Sequence, residues 1–161
     1  MVSKKVILTG SFGVGKTSLF NKFIHNTFSD KYLTTIGVKV NKKTVMTDGQ
    51  EVSLLVWDIA GEVSQEKVPT SFYLGASAII FVFDLTRPST YNRIKANIDY
   101  LKGISGEAII KVVGNKNDLV EISDIDGIKD DIEVPWDILT SAKTGENVDD
   151  LFHELAKELV V

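Results

Sequence analysis

Residues 5–17 read Lys5-Val6-Ile7-Leu8-Thr9-Gly10-Ser11-Phe12-Gly13-Val14-Gly15-Lys16-Thr17, a short apolar strand running into a glycine-rich loop that ends Gly-Lys-Thr. Beyond it, Leu19, Phe20, Phe23 and Ile24 share one stripe at helical spacing, so a helix begins where the loop ends. Strand, G-x-x-x-x-G-K-[ST] and helix together let backbone N–H groups converge on phosphate oxygens. The glycines remove the Cβ atoms that would clash, and the helix N-terminus adds partial positive charge. Candidate phosphate-binding residues are Phe12, Gly13, Val14, Gly15, Lys16, Thr17 and Ser18. Lys16 would reach the β- and γ-phosphates, and the Thr17 hydroxyl would ligate Mg²⁺. Alone, the loop specifies a nucleoside triphosphate but neither the base nor the reaction.

Outward from this loop, strand and helix patterns alternate. Val38 to Met46 and Glu51 to Trp57 read as two strands, and Asp48-Gly49 between them marks a hairpin because the turn needs positive φ. Ala78 to Phe83 and Ala108 to Val113 are continuous apolar runs, as in strands covered on both faces. Between them Ser89 is placed to cap a helix with Ile94, Ile98 and Leu101 on its inner stripe. Ile125, Ile128 and Ile132 suggest a short helix, Val134 to Leu139 a last strand. Asn147 is placed to cap a closing helix with Val148, Leu151, Phe152, Leu155 and Leu159 inward. The expected fold is α/β: a mostly parallel six-stranded sheet with one antiparallel edge strand and helices on both faces, in three layers.

The 161 residues fit one domain, residues 1–161, and a 43% hydrophobic composition fits an ordinary globular core. With no cysteine, a disulfide scaffold, a thiolate zinc site, a Cys nucleophile, prenylation and palmitoylation are excluded on this chain. No run approaches the ~18 apolar residues of a membrane span, and Met1 to Lys5 lacks a signal-peptide core. A soluble, cytoplasmic setting is expected. Net charge is −4, unevenly spread: residues 118–161 hold 13 acidic and 3 basic side chains, while the preceding part is net positive. Solvated helix faces explain such a split, and so does a basic half turned to an anionic ligand. The acidic end argues against docking on nucleic acid, and none is expected as a partner.

Three later segments narrow the ligand. Asp58, in Trp57-Asp58-Ile59-Ala60-Gly61-Glu62, ends a strand and can hold Mg²⁺ through water, while the Gly61 N–H can face a γ-phosphate. Asn115-Lys116-Asn117-Asp118 follows another strand. The Asp118 carboxylate can accept from the N1–H and 2-amino group of guanine. Adenine offers neither donor and would leave it unpaired in a buried site. Ser141-Ala142-Lys143 ends the last strand, where a backbone N–H can donate to guanine O6. All three sit at strand C-termini, where open α/β sheets bind ligands.

With these motifs in order, the chain resembles a Ras-superfamily small GTPase, and most resembles the Rab-like branch. Gly10–Thr17, Thr34-Thr35-Ile36-Gly37, Trp57–Glu62, Asn115–Asp118 and Thr140–Lys143 carry the resemblance over essentially the whole chain. It implies a P-loop NTPase G domain that binds GTP or GDP with Mg²⁺ and hydrolyses GTP slowly. It implies Thr17, Thr35 and Asp58 at the metal, Lys16, Thr35, Gly61 and Glu62 at the hydrolytic centre, and Phe28 and Lys116 flanking the base. Switch regions at about residues 30–38 and 60–73 would present the GTP state to effector proteins, with an exchange factor and a GTPase-activating protein as further partners. Trp57 and Phe72-Tyr73 match positions where Rab-like proteins meet effectors through exposed aromatics.

Two departures stand out. Glu62 replaces the family's usual Gln, and its carboxylate lacks the amide donor and would be repelled by the γ-phosphate. Phe12 replaces a small residue beside the γ-phosphate, where its ring would hinder an arginine finger supplied in trans. Hydrolysis is therefore expected to be slow and poorly stimulated. The alternative is a GTP-binding scaffold with little or no hydrolysis. A small-molecule kinase is disfavoured, since a lid would need more arginine than Arg87 and Arg93. No lipid anchor is expected on this chain; either it is trimmed, or it is a soluble relative, non-eukaryotic or domain-derived.

Overall fold

A computed structural model describes residues 2–29, 37–59 and 68–161. The expectations for Thr35, Gly61 and Glu62 fall outside these residues. The strands are β1 (Val2–Gly10), β2 (Val38–Thr47), β3 (Gln50–Ile59), β4 (Ala76–Asp84), β5 (Ile109–Asn115) and β6 (Ile138–Leu139). The helices are α1 (Lys16–His25), α2 (Ile94–Ser105), α3 (Ile122–Asp131) and α4 (Val148–Leu159). One six-stranded sheet runs β2-β3-β1-β4-β5-β6, with β2 antiparallel to β3 and every other pair parallel. The expected class, strand number and antiparallel edge are all present.

Alternation along the central strands sends neighbouring side chains into two separate cores. Val6 and Leu8 of β1, with Ala78, Ile80 and Val82 of β4, bury against α1 and α4. Ile7, Ile79, Phe81 and Phe83 bury on the opposite face against α2 and Ile128 of α3. Continuous apolar runs are thus what a sheet covered on both faces requires. Phe23 of α1 stacks on Phe152 of α4 with ring centroids 3.8 Å apart, fixing the two helices side by side.

The hairpin turn falls at Asp48 and Gly49, both at positive φ. Elsewhere the details differ from the sequence reading. Ser89 does not cap α2; it lies in a 3₁₀ turn, Pro88–Thr90, and α2 starts after Arg93. Ile132 is the residue that ends α3 rather than a member of it. Asn147 does stand at the start of α4, but in a left-handed conformation with no side-chain cap, because its amide donates to Leu139 O at 2.8 Å. β6 has two residues instead of six. Pro135 offers no N–H, and the Asp137 carboxylate accepts the Val112 N–H at 2.7 Å in place of a strand carbonyl.

Candidate nucleotide site

The glycine-rich loop leaves the end of β1 at Gly10 and enters α1 at Lys16. Gly10, Gly13 and Gly15 all hold positive φ, of 142°, 78° and 103°. A Cβ on Gly10 would strike the Val82 carbonyl, and one on Gly15 the Asn115 side-chain amide. Both glycines are therefore forced by close approach as well as by conformation.

Lys16 is 6% exposed. Its ammonium folds back over the loop, donating to Gly10 O at 2.9 Å and Ser11 O at 3.0 Å. Burial lowers its pKa from 10.5 to about 8, partly offset by the Asp58 carboxylate. The Thr17 hydroxyl donates to Asp58 Oδ2 at 2.6 Å, and Asp58 is fully buried at the end of β3. A hydroxyl and a carboxylate joined beside the loop are hard oxygen donors of the kind that could hold Mg²⁺.

The segments expected to read the base meet at the same edge through Asn115. This 1% exposed residue donates from Nδ2 to Val14 O at 3.0 Å, and its Oδ1 accepts from Thr140 Oγ1 at 3.0 Å and from Ala142 N at 3.3 Å. Both ends of its amide are used inside the protein, so it ties the phosphate loop to the Thr140–Lys143 segment. Ser141 Oγ donates to Asp118 Oδ1 at 2.8 Å and accepts the Thr144 N–H, while the Ser141 N–H goes to Glu146 O. Lys143 is exposed at the rim.

Asp118 is exposed, with one carboxylate oxygen accepting from Ser141 Oγ. It sits in the 3₁₀ turn Asn117–Leu119, beyond the end of β5 and outside the packed layers. Lys116 adopts a left-handed conformation, φ 70°, immediately before that turn. Phe28 and Phe12 are both exposed, at 37% and 41%. Val14 is wholly buried, and Ser18 is half-buried on the first turn of α1.

Among the aromatics, Trp57 and Phe72 are half-buried with ring centroids 6.4 Å apart, and the Lys5 ammonium covers the Trp57 ring at 3.9 Å. Tyr73 departs from the expected exposed surface. It is 2% exposed and packed in the α2-side core.

Sequence reasoning missed Asp84 and Arg87. Asp84 is fully buried at the end of β4, with Lys116 Nζ 2.9 Å from its Oδ2; Arg87 Nη1 donates to Phe12 O at 3.0 Å. The available signal was an acidic residue closing an apolar strand beside the others at the sheet's C-terminal edge.

The family model for the Ras family matches residues 5–161. Ras-related protein RABD1 of Arabidopsis thaliana is 33% identical over 96% of this chain and 78% of its own length. Ras-related protein RABE1e of the same plant is 33% identical, over 96% and 74%. Ras-related protein Rab-1C of Dictyostelium discoideum is also 33% identical, over 96% and 80%. The described residues contain no helix long and apolar enough to cross a membrane. The chain belongs to the Ras family, among its Rab-like members: it is a small GTPase that binds GTP as a molecular switch.

Proposed function

We propose that residues 1–161 form a single G domain that hydrolyses GTP slowly and exposes its nucleotide state through residues 30–38 and 60–73. The observation that carries this is the buried Lys16 folded across its own loop beside the Thr17–Asp58 pair. A nearly dry ammonium held on carbonyls is poised to transfer to phosphate oxygens, which are stronger acceptors. Asn115 then keeps the loop rigid while the base-side residues Phe28, Lys116, Asp118, Ser141, Ala142 and Lys143 select guanine.

Phosphoryl transfer to water is largely a matter of positioning and charge stabilisation. In this reading the loop amides from Phe12 to Ser18 and the Lys16 ammonium receive the β- and γ-phosphates. Thr17, Asp58 and Thr35 would hold Mg²⁺, which would supply positive charge to offset that of the phosphates. Gly61 would face the γ-phosphate and Glu62 the attacking water. A carboxylate in that place is repelled by the same phosphate that a Gln amide would tolerate, so turnover is slow. Effectors, an exchange factor and a GTPase-activating protein are the partner classes that fit a switch.

A second reading, GTP binding with little or no hydrolysis, is favoured by the exposure of Phe12, whose ring can bar an incoming guanidinium. Single-turnover GTP hydrolysis by the unaltered chain and by Glu62→Gln separates the two. Slow release of phosphate that rises with Gln supports the switch. No release from either supports the scaffold, and a fast unaltered rate that falls with Gln reverses the role given to Glu62.

A further inference from the structure

Building on the guanine-nucleotide reading above, we propose that Arg87 is a positioning residue that braces the outer arm of the phosphate loop, and that Asp84 couples this brace to the base-reading loop. The loop is gripped at two of its carbonyls by side chains from distant parts of the chain, one in β5 and one in the turn after β4. Asn115 of β5 holds Val14 O, and Arg87 holds Phe12 O. A carbonyl fixed outward leaves the following peptide N–H fixed inward, toward the phosphates, so each grip orients the cradle from behind.

Arg87 is itself held in place for this. Its N–H donates to Asp84 O at 3.0 Å, and its carbonyl accepts the Thr90 N–H at 2.9 Å and the Thr90 hydroxyl at 2.7 Å. Pro88 follows at the first position of the 3₁₀ turn, where its fixed φ stiffens the bend. The side chain is thereby launched from a rigid base, although it is 43% exposed as a whole.

Asp84 joins the two loops. Its Oδ1 accepts from Thr86 N and Thr86 Oγ1, at 2.8 and 2.6 Å. Its Oδ2 lies 2.9 Å from Lys116 Nζ, as an ion pair without hydrogen-bond alignment, and 3.9 Å from Arg87 Nη1. One buried carboxylate thus faces two cations, one attached to the phosphate loop and one to the segment that reads the base. A buried carboxylate must be compensated; Lys116 at 2.9 Å supplies most of this, and the half-exposed Arg87 at 3.9 Å adds a weaker, solvent-screened share. Loss of Arg87 loosens the phosphate arm directly and leaves Lys116 as the single counter-charge.

The test uses release of a fluorescent GDP analogue from the full chain, chased with excess GDP, together with the thermal midpoint of the nucleotide-free protein. Arg87→Ala is expected to speed release about tenfold, the loss typical of one charged hydrogen bond, with little change in midpoint. Arg87→Lys recovers part of the retention, because an ammonium supplies the charge without the planar fork. In a cycle with Asp84→Asn, the two changes together speed release by less than the product of their separate effects. Unchanged release in Arg87→Ala overturns the inference, as does faster release matched by a large fall in midpoint that Arg87→Lys fails to restore. Simple multiplication in the cycle overturns the coupling through Asp84. If the unaltered chain binds no guanine nucleotide, this inference and the functional reading fall together; tight binding with Arg87-independent release removes this inference alone.

Discussion

The side-chain amide of Asn115 donates to the main-chain carbonyl of Val14 across 3.0 Å, joining residues 101 positions apart. Its oxygen accepts from Thr140 and Ala142. Three segments that the sequence presents separately are therefore one construction. The loop that would take phosphate has the shape it does because the loops that would read the base hold it from behind.

Asn115→Ala removes both ends of this brace at once. The Val14 carbonyl, the Thr140 hydroxyl and the Ala142 N–H all lose a buried partner. Each stranded group costs about 1–3 kcal/mol, so a loss of at least about 2 kcal/mol is expected in urea unfolding. Release of GDP should quicken in the same variant, because the cradle loses one of its two outer grips.

Gly10→Ala should be among the most damaging single methyl additions. The new Cβ would meet the Val82 carbonyl, a backbone atom of a central strand that cannot swing aside, at a φ of 142° that disfavours any side chain. A loss of about 3 kcal/mol or more is expected, read as a fall in the urea midpoint at unchanged slope.

Lys16 sets a pH dependence with a definite sign. Its pKa falls from 10.5 to about 8 on folding, so between these values the unfolded chain holds a proton that the folded chain has released. Stability of the nucleotide-free protein should therefore rise with pH across that window. Nucleotide affinity should move the opposite way, weakening above about pH 8 by up to tenfold per unit as the cation is lost. Titrations from pH 7 to above pH 10 for stability, and from pH 7 to 9 for affinity, check this, and Lys16→Met should flatten both curves at a much weaker affinity.

Phe152→Ala tests the packing that seats α1 beneath the loop. The ring is fully buried and stacked on Phe23 at 3.8 Å. Its removal should cost about 3–5 kcal/mol in denaturant unfolding.

The fold was legible because its deciding signals are local and periodic. The apolar runs at Ala78–Phe83 and Ala108–Val113 announce strands covered on both faces, and the loop after Thr9 announces what lies at their ends. The glycine-rich loop was equally legible as a strand-to-helix turn, since its pattern is written in consecutive positions. What escaped was the bracing, which depends on side chains meeting across the sheet. Asp84 reads as a strand terminus until Lys116 is seen beside it, and Arg87 as a turn residue until its guanidinium reaches Phe12 O. Likewise, the length of β6 turns on Asp137 taking the Val112 N–H, a choice of side chain over backbone that periodicity does not encode. Asn147 stands where a cap belongs, yet Leu139 takes its amide.

A switch of this kind must select guanine through Asp118 on a cradle built from Gly10 to Thr17. Displacement of a fluorescent GDP analogue by unlabelled GDP and ADP, side by side with Mg²⁺ present, tests it most directly. Displacement by stoichiometric GDP, and none by ADP at a thousandfold excess, is expected. Equal displacement by the two nucleotides would contradict it.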